Sequence, residues 1–317
     1  MTALQAFIDF SITVIGPVLL LIAIGYGFYR QDLLDDSFVE KASRLIFNYA
    51  LPALLFVNIS ASDISALTDP KTIAIGISGT LIVFLFYIVW VCFYVPRRED
   101  RGVIVQGAFR SNMGIIGLAY CANAYGTEGL AYASIYLGAL TILYNVLSVA
   151  VLNIFQGSTF SKTRIVKGIL SNPIILSIVA GVLVSYFSLP TPTFITNSLG
   201  YFAQLTLPLA LLCTGASLRF KSLGKEWQWV LLACIGKCFL YPIVLLSLAL
   251  TFDISGLSLG VVFLMAMSPT AAASYVMVRK IGGNHQLAAQ IIAMSTIASL
   301  PITIVGYYIM LRFTDIV

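Results

Sequence analysis

Charge is what this chain has least of. Only 10% of its 317 residues are charged, against about 25% in a soluble fold, while 59% are apolar and the mean hydropathy is +0.97. That deficit excludes a water-soluble enzyme, a nucleic-acid binder and a disordered chain. Histidine occurs once, at His285. There is no mid-span histidine, no HExxH and no embedded pair of acids, so an intramembrane enzyme would have neither base nor metal ligands to work with. The five cysteines, Cys92, Cys121, Cys213, Cys234 and Cys238, fall inside apolar runs with no second CxxC or histidine cluster, and read as small packing residues. Neither a metal nor a cofactor is expected. A long polar segment is also missing: the longest connection, 156–167, has twelve residues, too few for an extramembrane domain.

What remains is apolar sequence in long runs. Crossing a hydrocarbon core of about 30 Å takes roughly 20 helical residues. Windows of that kind fall at 12–29, 39–60, 72–95, 103–124, 129–155, 168–188, 199–219, 227–250, 257–278 and 287–311, which predicts ten spans. The runs are apolar on all sides, unlike the alternating strands of a membrane barrel. Asp9 interrupts the first stretch and no Lys or Arg precedes it, so it reads as a retained span and not a cleaved leader.

The cations sort by connection. The odd-numbered connections and their helix ends hold fourteen, including Arg30, Lys41, Arg97, Arg98, Arg101, Lys162, Arg164, Lys221, Lys225, Arg279 and Lys280. The even connections and termini hold only Lys71 and Arg312, along with Asp9, Asp63, Asp69, Glu128, Asp253 and Asp315. The positive-inside rule then predicts a multi-pass protein of the cell (inner) membrane with both termini outside. Most of the net charge of +5 is therefore an orientation signal. Two cations stand apart. Arg110 lies nine residues into span four and Lys237 ten residues into span eight, placing each about 14 Å deep at 1.5 Å per residue.

Prolines disclose a repeat. Asn48-Tyr-Ala-Leu-Pro52 in span two and Thr206-Leu-Pro208 in span seven set their prolines 156 residues apart, close to half the chain. The same offset carries Asn112, within Arg110-Ser-Asn-Met-Gly114-Ile-Ile-Gly117, onto Ser268, beside Pro269-Thr270. Each half, 1–156 and 157–317, has an odd number of spans, so the second inserts upside down. The fold predicted is all-α: ten membrane helices in a 5+5 inverted repeat. Interrupted segments at matched positions mark the substrate site in such transporters, because freed backbone groups are tolerated only against protein or a watery cavity. Gly114, Gly117, Pro269, Pro52 and Pro208 are the helix-breaking candidates.

Together these segments resemble the auxin efflux carrier family. The likeness also runs through Asn172-Pro173, Pro208-Leu-Ala-Leu-Leu-Cys-Thr-Gly215, Ser268-Pro-Thr-Ala-Ala-Ala-Ser274 and Leu300-Pro-Ile-Thr-Ile-Val-Gly-Tyr-Tyr308, and so covers nearly the whole chain. Bacterial members include permeases assigned to malonate and other organic acids; plant members export the auxin anion. The resemblance implies a fold similar to bile-acid symporters and sodium/proton antiporters. Helices one, two, six and seven would form a scaffold, and three to five with eight to ten a moving transport domain, with the fourth and ninth broken and crossing at Ser111–Gly114 and Ser268–Thr270. It also implies elevator-type alternating access, and the related folds are compatible with a homodimer. Span four lacks the crossing proline of the plant pattern, which leaves Gly114 and Gly117 to supply its break.

All thirteen acids can be placed in connections or near helix ends. Coupling to protons or sodium commonly uses a buried carboxylate, and none is evident at mid-depth, so the transported charge is expected to be negative. Lys237 and Arg110 either face a hydrated cavity where the anion docks or cap exposed carbonyls at the breaks; proton or sodium coupling stays open, with Lys237 one candidate carrier. Ser111, Asn112, Ser268, Thr270 and Ser274 would bind substrate if the crossing is correctly placed. Asn145, Asn48, Gln204, Ser295 and Thr296 are expected to make interhelical hydrogen bonds. The function predicted is a secondary transporter of a small organic anion, with a transporter-like receptor or channel-like sensor as the alternative.

Overall fold

The computed structural model describes residues 3–62, 69–157, 167–168, 170–218 and 226–313. Lys162, Arg164, Lys221, Lys225, Asp63 and Asp315, used above for orientation, lie outside the described residues. The described residues form helices and no strand. In chain order they are α1 (Gln5–Arg30), α2 (Asp36–Ser60), α3 (Pro70–Tyr94), α4 (Arg98–Phe109), α5 (Met113–Gln156), α6 (Pro173–Tyr186), α7 (Thr193–Ala216), α8 (Trp227–Thr251), α9 (Gly256–Met267), α10 (Ala273–Ile281) and α11 (His285–Phe313). Seven of these (α1, α2, α3, α5, α7, α8 and α11) are long and apolar enough to cross a membrane. Two more, α6 and α9, are apolar but shorter.

Local sequence explains the irregularities within the helices. A proline has no N–H and its ring clashes with the carbonyl four residues back; one wide, π-type turn moves that carbonyl out of register. Such turns occur at Ser11–Ile15, Ile46–Ala50 and Gly236–Leu240, immediately before Gly16-Pro17, Leu51-Pro52 and Tyr241-Pro242. Hence α2 runs on through Pro52, and α7 carries Pro208 in its interior. Helix α5 spans 44 residues because helical bonding continues across Gly126, where φ is +59° and ψ −143°. Only glycine takes up that conformation without strain. It falls where the sequence separates spans four and five.

The chain divides into two compact units, each drawing on both halves of the sequence. The first comprises residues 1–70, 114–139 and 166–218, and so holds α1, α2, α6, α7 and the first part of α5. Its tightest packing joins α1 to α7. A Cβ on Gly25 would fall on the carbonyl of Leu212, and one on Gly215 on the carbonyl of Ile22, so the two backbones touch. Small residues permit such approach where no hydrophobic force drives helices together. Ile178 of α6 lies against Gly138, and Asn123 donates to Val14 O at 3.0 Å. These contacts explain a departure from the family pattern, which would put helices three to five together: residues 114–139 pack instead on α1, α2 and α6.

The second unit comprises residues 71–113, 140–165 and 219–317. Here α4, α8 and α11 run parallel. Ile291 of α11 and Ala233 of α8 both lie over Gly107, and the thiols of Cys234 and Cys238 point to the carbonyls of Ile291 and Ser295 at 3.9 Å. The far ends of α4 and α9 bring together the segments that carry the chemistry.

Candidate functional site

Both broken helices stop for local reasons. A residue before proline is pushed out of the helical region; accordingly Ser268, ahead of Pro269, is extended at φ −61° and ψ 142°, and α9 ends at Met267. On the other side Arg110 is extended at φ −79° and ψ 95°, and α4 ends at Phe109. The two extended stretches then pair antiparallel through a single bridge, Ser111 with Thr270. Asn112 N–H donates to Pro269 O at 2.7 Å, and Ala271 N–H to Arg110 O at 2.9 Å.

A helix end leaves its last carbonyls without partners, and here side chains supply them. Thr270 Oγ1 donates to Gly107 O at 2.7 Å, Ser268 Oγ to Met265 O at 2.7 Å, and Lys237 Nζ to Ala266 O at 2.7 Å. Thr270 N–H in turn donates to Ser295 Oγ at 3.1 Å. The crossing is thus fastened to α4, α8 and α11 at once. The ammonium of Lys237, wholly buried, also stands 4.4 Å from the centre of the Tyr241 ring, a cation–π distance. The Tyr241 hydroxyl meets Tyr144 at 2.6 Å and Thr80 at 3.0 Å.

Arg110 does not reach outward. Its guanidinium donates to Ser148 Oγ at 2.9 Å, Asn145 Oδ1 at 3.0 Å and, more weakly, Tyr144 O at 3.4 Å, all on α5, and lies 3.1 Å from Met277 Sδ on α10. Among the described residues the ion pairs are Arg44–Glu40 and Arg97–Glu226; neither Arg110 nor Lys237 is in one. Each of these cations sits at the C-terminal end of a half-helix, where the helix dipole is negative. Helix α10 begins just after the crossing, with the positive end of its dipole at that end; in its first turn the N–H groups of Ser274 and Tyr275 donate to Ala271 O and Ala272 O. Asn112 is 6% exposed, and the buried hydroxyl of Ser274, in the first turn of α10, has no hydrogen-bonding partner among the described residues.

Comparison with known proteins gives the family. A family model described as "Membrane transport protein" matches residues 10–165 and 158–307. The chain belongs to the membrane transport protein family. This is the auxin efflux carrier family of the sequence motifs. Among similar proteins, an "Uncharacterized transporter" of Methanothermobacter thermautotrophicus is 27% identical over 89% of this chain and 93% of its own length. A second "Uncharacterized transporter", of Methanocaldococcus jannaschii, is 24% identical over 88% of this chain and 90% of its own length. A Rhizobium meliloti protein named "Putative malonate transporter" is 24% identical over 93% of this chain and 94% of its own length. The protein is a multi-pass transporter of this family.

Of the residues singled out from sequence, Arg110, Ser111, Asn112, Ser268, Pro269 and Thr270 lie together at the crossing, with Ser274 a turn further on and Lys237 fastened to its edge. Gly114 and Gly117 occupy a wide first turn of α5, Met113–Gly117, after the gap and not in it. Asn145 and Ser295 do make the interhelical bonds expected of them. Sequence reasoning missed Ser148, Met277 and the Thr80–Tyr241–Tyr144 chain. Tyr144, Asn145 and Ser148 share one helical face at i and i+4, a polar stripe visible in an otherwise apolar run. It missed more at Asp100, which opens α4 among Arg98, Glu99 and Arg101 and reads as solvated, yet is wholly buried.

Proposed function

We propose that this protein carries a small organic anion, first a carboxylate such as malonate, with the substrate held at the crossing of residues 110–113 and 268–274. The observation that carries this reading is the buried, unpartnered Ser274 hydroxyl beside the paired stretches 110–112 and 269–271. It lies in an interior with two buried cations and, among the described residues, no carboxylate paired to them. Ser111, Asn112, Ser268, Pro269, Thr270 and Ser274 would line the site. Lys237 and Arg110 would supply positive potential beside it, which a negative substrate completes without a full ion pair having to be desolvated. The relative named for malonate supports a dicarboxylate as the first candidate.

In this reading the chain makes ten crossings. Helix α5 counts twice about Gly126, α4 with the start of α5 forms the fourth, and α9 with α10 the ninth. The two halves are inverted repeats, the basic connections face the cytoplasm, and transport proceeds by elevator-type alternating access. Proteoliposomes loaded with protein and presented with labelled malonate and other small carboxylates test the substrate. Saturable uptake that Asn112→Ala abolishes, with the variant still inserted, supports the proposal. Uptake of no anion, or full uptake by Asn112→Ala, removes it.

A further inference from the structure

The first turn of α4 holds a carboxylate that the crossing does not use. Asp100 is wholly buried. Its Oδ1 accepts from Asn284 Nδ2 at 2.7 Å, while its Oδ2 is buried with no hydrogen-bonding partner among the described residues. Asn284 is the residue before α11, and its Oδ1 is occupied by Leu287 N–H at 3.0 Å. The same Nδ2 also donates to Glu226 Oε2 at 3.2 Å, at the head of α8. One amide nitrogen therefore serves two carboxylates. The cation nearest to hand, Arg97, is engaged by Glu226 at 2.9 Å.

Among the described residues, the groups facing Asp100 give it no ion pair, and its one nearby cation, Arg97, is paired with Glu226. From α8 comes Glu226; from α11, Asn284; from α4 itself, Glu99 and, just before it, Arg97. Helix α5 contributes Val151 and Leu152, packed at Gly102, and Gln156, whose amide donates to Glu99 O. A buried carboxylate oxygen with neither donor nor cation is costly when ionised and much less so when neutral. A metal ion fits poorly, because the shared amide directs its N–H groups at both carboxylates and offers them no further oxygen. Burial raises the affinity of Asp100 for a proton, the Asn284 bond works against that, Glu226 and Glu99 add to it, and the charge of Arg97 opposes it by the smallest amount.

We propose that Asp100 is a proton-binding site, and that its occupancy sets the rate of transport; the second clause rests on the transport reading above. Ionised, Asp100 and Glu226 repel across the shared amide; with a proton on Oδ2, that repulsion is gone and the heads of α4 and α8 can close. Helix α4 is a short rod whose other end accepts from Thr270 at Gly107 and pairs with residues 269–271. A shift at its head therefore reaches the crossing directly.

The test is infrared titration of the whole protein in nanodiscs, with malonate uptake by proteoliposomes measured alongside across the same pH range. Expected is a protonated-carboxyl band that grows on acidification and disappears in Asp100→Asn. In Glu226→Gln the band should appear only at lower pH, because a neighbouring negative charge has been removed. Uptake should depend on pH in the wild type and lose that dependence in Asp100→Asn. A band undiminished in Asp100→Asn overturns the proton site. Should that variant fail to insert, a band unshifted in Glu226→Gln overturns it equally. A titrating band with uptake indifferent to pH refutes the coupling. No uptake of any anion, with the band behaving as expected, refutes the transport reading and leaves the proton site standing.

Discussion

Replacing Thr270 by valine removes one hydroxyl and keeps the shape of the side chain. In the wild type that hydroxyl satisfies Gly107 O, near the end of α4, at 2.7 Å, and Thr270 itself is only 1% exposed. Without it the carbonyl is left buried and unpaired, at a cost of about 1–3 kcal/mol. At 1.4 kcal/mol per factor of ten, that is about a 5- to 150-fold loss in the folded-to-unfolded ratio. The loss should be read as a lower melting midpoint of the purified protein, with Thr270→Ser, which keeps the donor, falling much less. Ser295→Ala orphans the backbone N–H of the same residue and should cost a similar amount. Both bonds hold one residue, so the double variant should depart from additivity. Wild-type melting in Thr270→Val, or strict additivity with Ser295→Ala, would refute the idea that the crossing is pinned at Thr270.

Other outcomes follow from the same packing. Gly215→Ala sets a methyl against the Ile22 carbonyl; backbone cannot yield as a side chain can, so the cost should reach the upper end of overpacking, about 3 kcal/mol, seen as poor folding yield or early melting. Arg110→Lys replaces a fork bonded to Ser148 and Asn145 with a point charge that cannot reach both, and should reduce uptake more than it lowers the melting midpoint. Because burial raises the folded-state pKa of Asp100, its contribution to stability is present at low pH and is lost as pH rises through that value. Melting should therefore come earlier as pH rises through it, and Asp100→Asn should flatten this part of the curve.

How far the sequence reached depends on how local the cause was. The long apolar runs needed no tertiary information, because hydrophobic length is enforced by the bilayer alone. The break at 268–272 was legible for a similar reason: Pro269 restricts Ser268 wherever the chain goes. The break at 110–112 was expected at Gly114 and Gly117 and lies ahead of them. Its cause is not in its own residues but in Pro269, Thr270 and Ala271, which accept and donate the bonds that hold it extended. Burial of Asp100 was likewise invisible, since only packing of α8 and α11 brings Glu226 and Asn284 over a segment whose neighbours are all charged. Grouping residues 114–139 with α1, α2 and α6 depended on contacts at Leu51, Ile178 and Val14, which no periodicity announces.

The central claim is that the crossing binds an organic anion through Asn112, and the most direct measurement is equilibrium binding of malonate and related carboxylates to purified protein, wild type beside Asn112→Ala. The account predicts saturable binding by the wild type and its loss in a variant that melts normally. Equal binding by both proteins, or none by the wild type to any carboxylate tried, would contradict it.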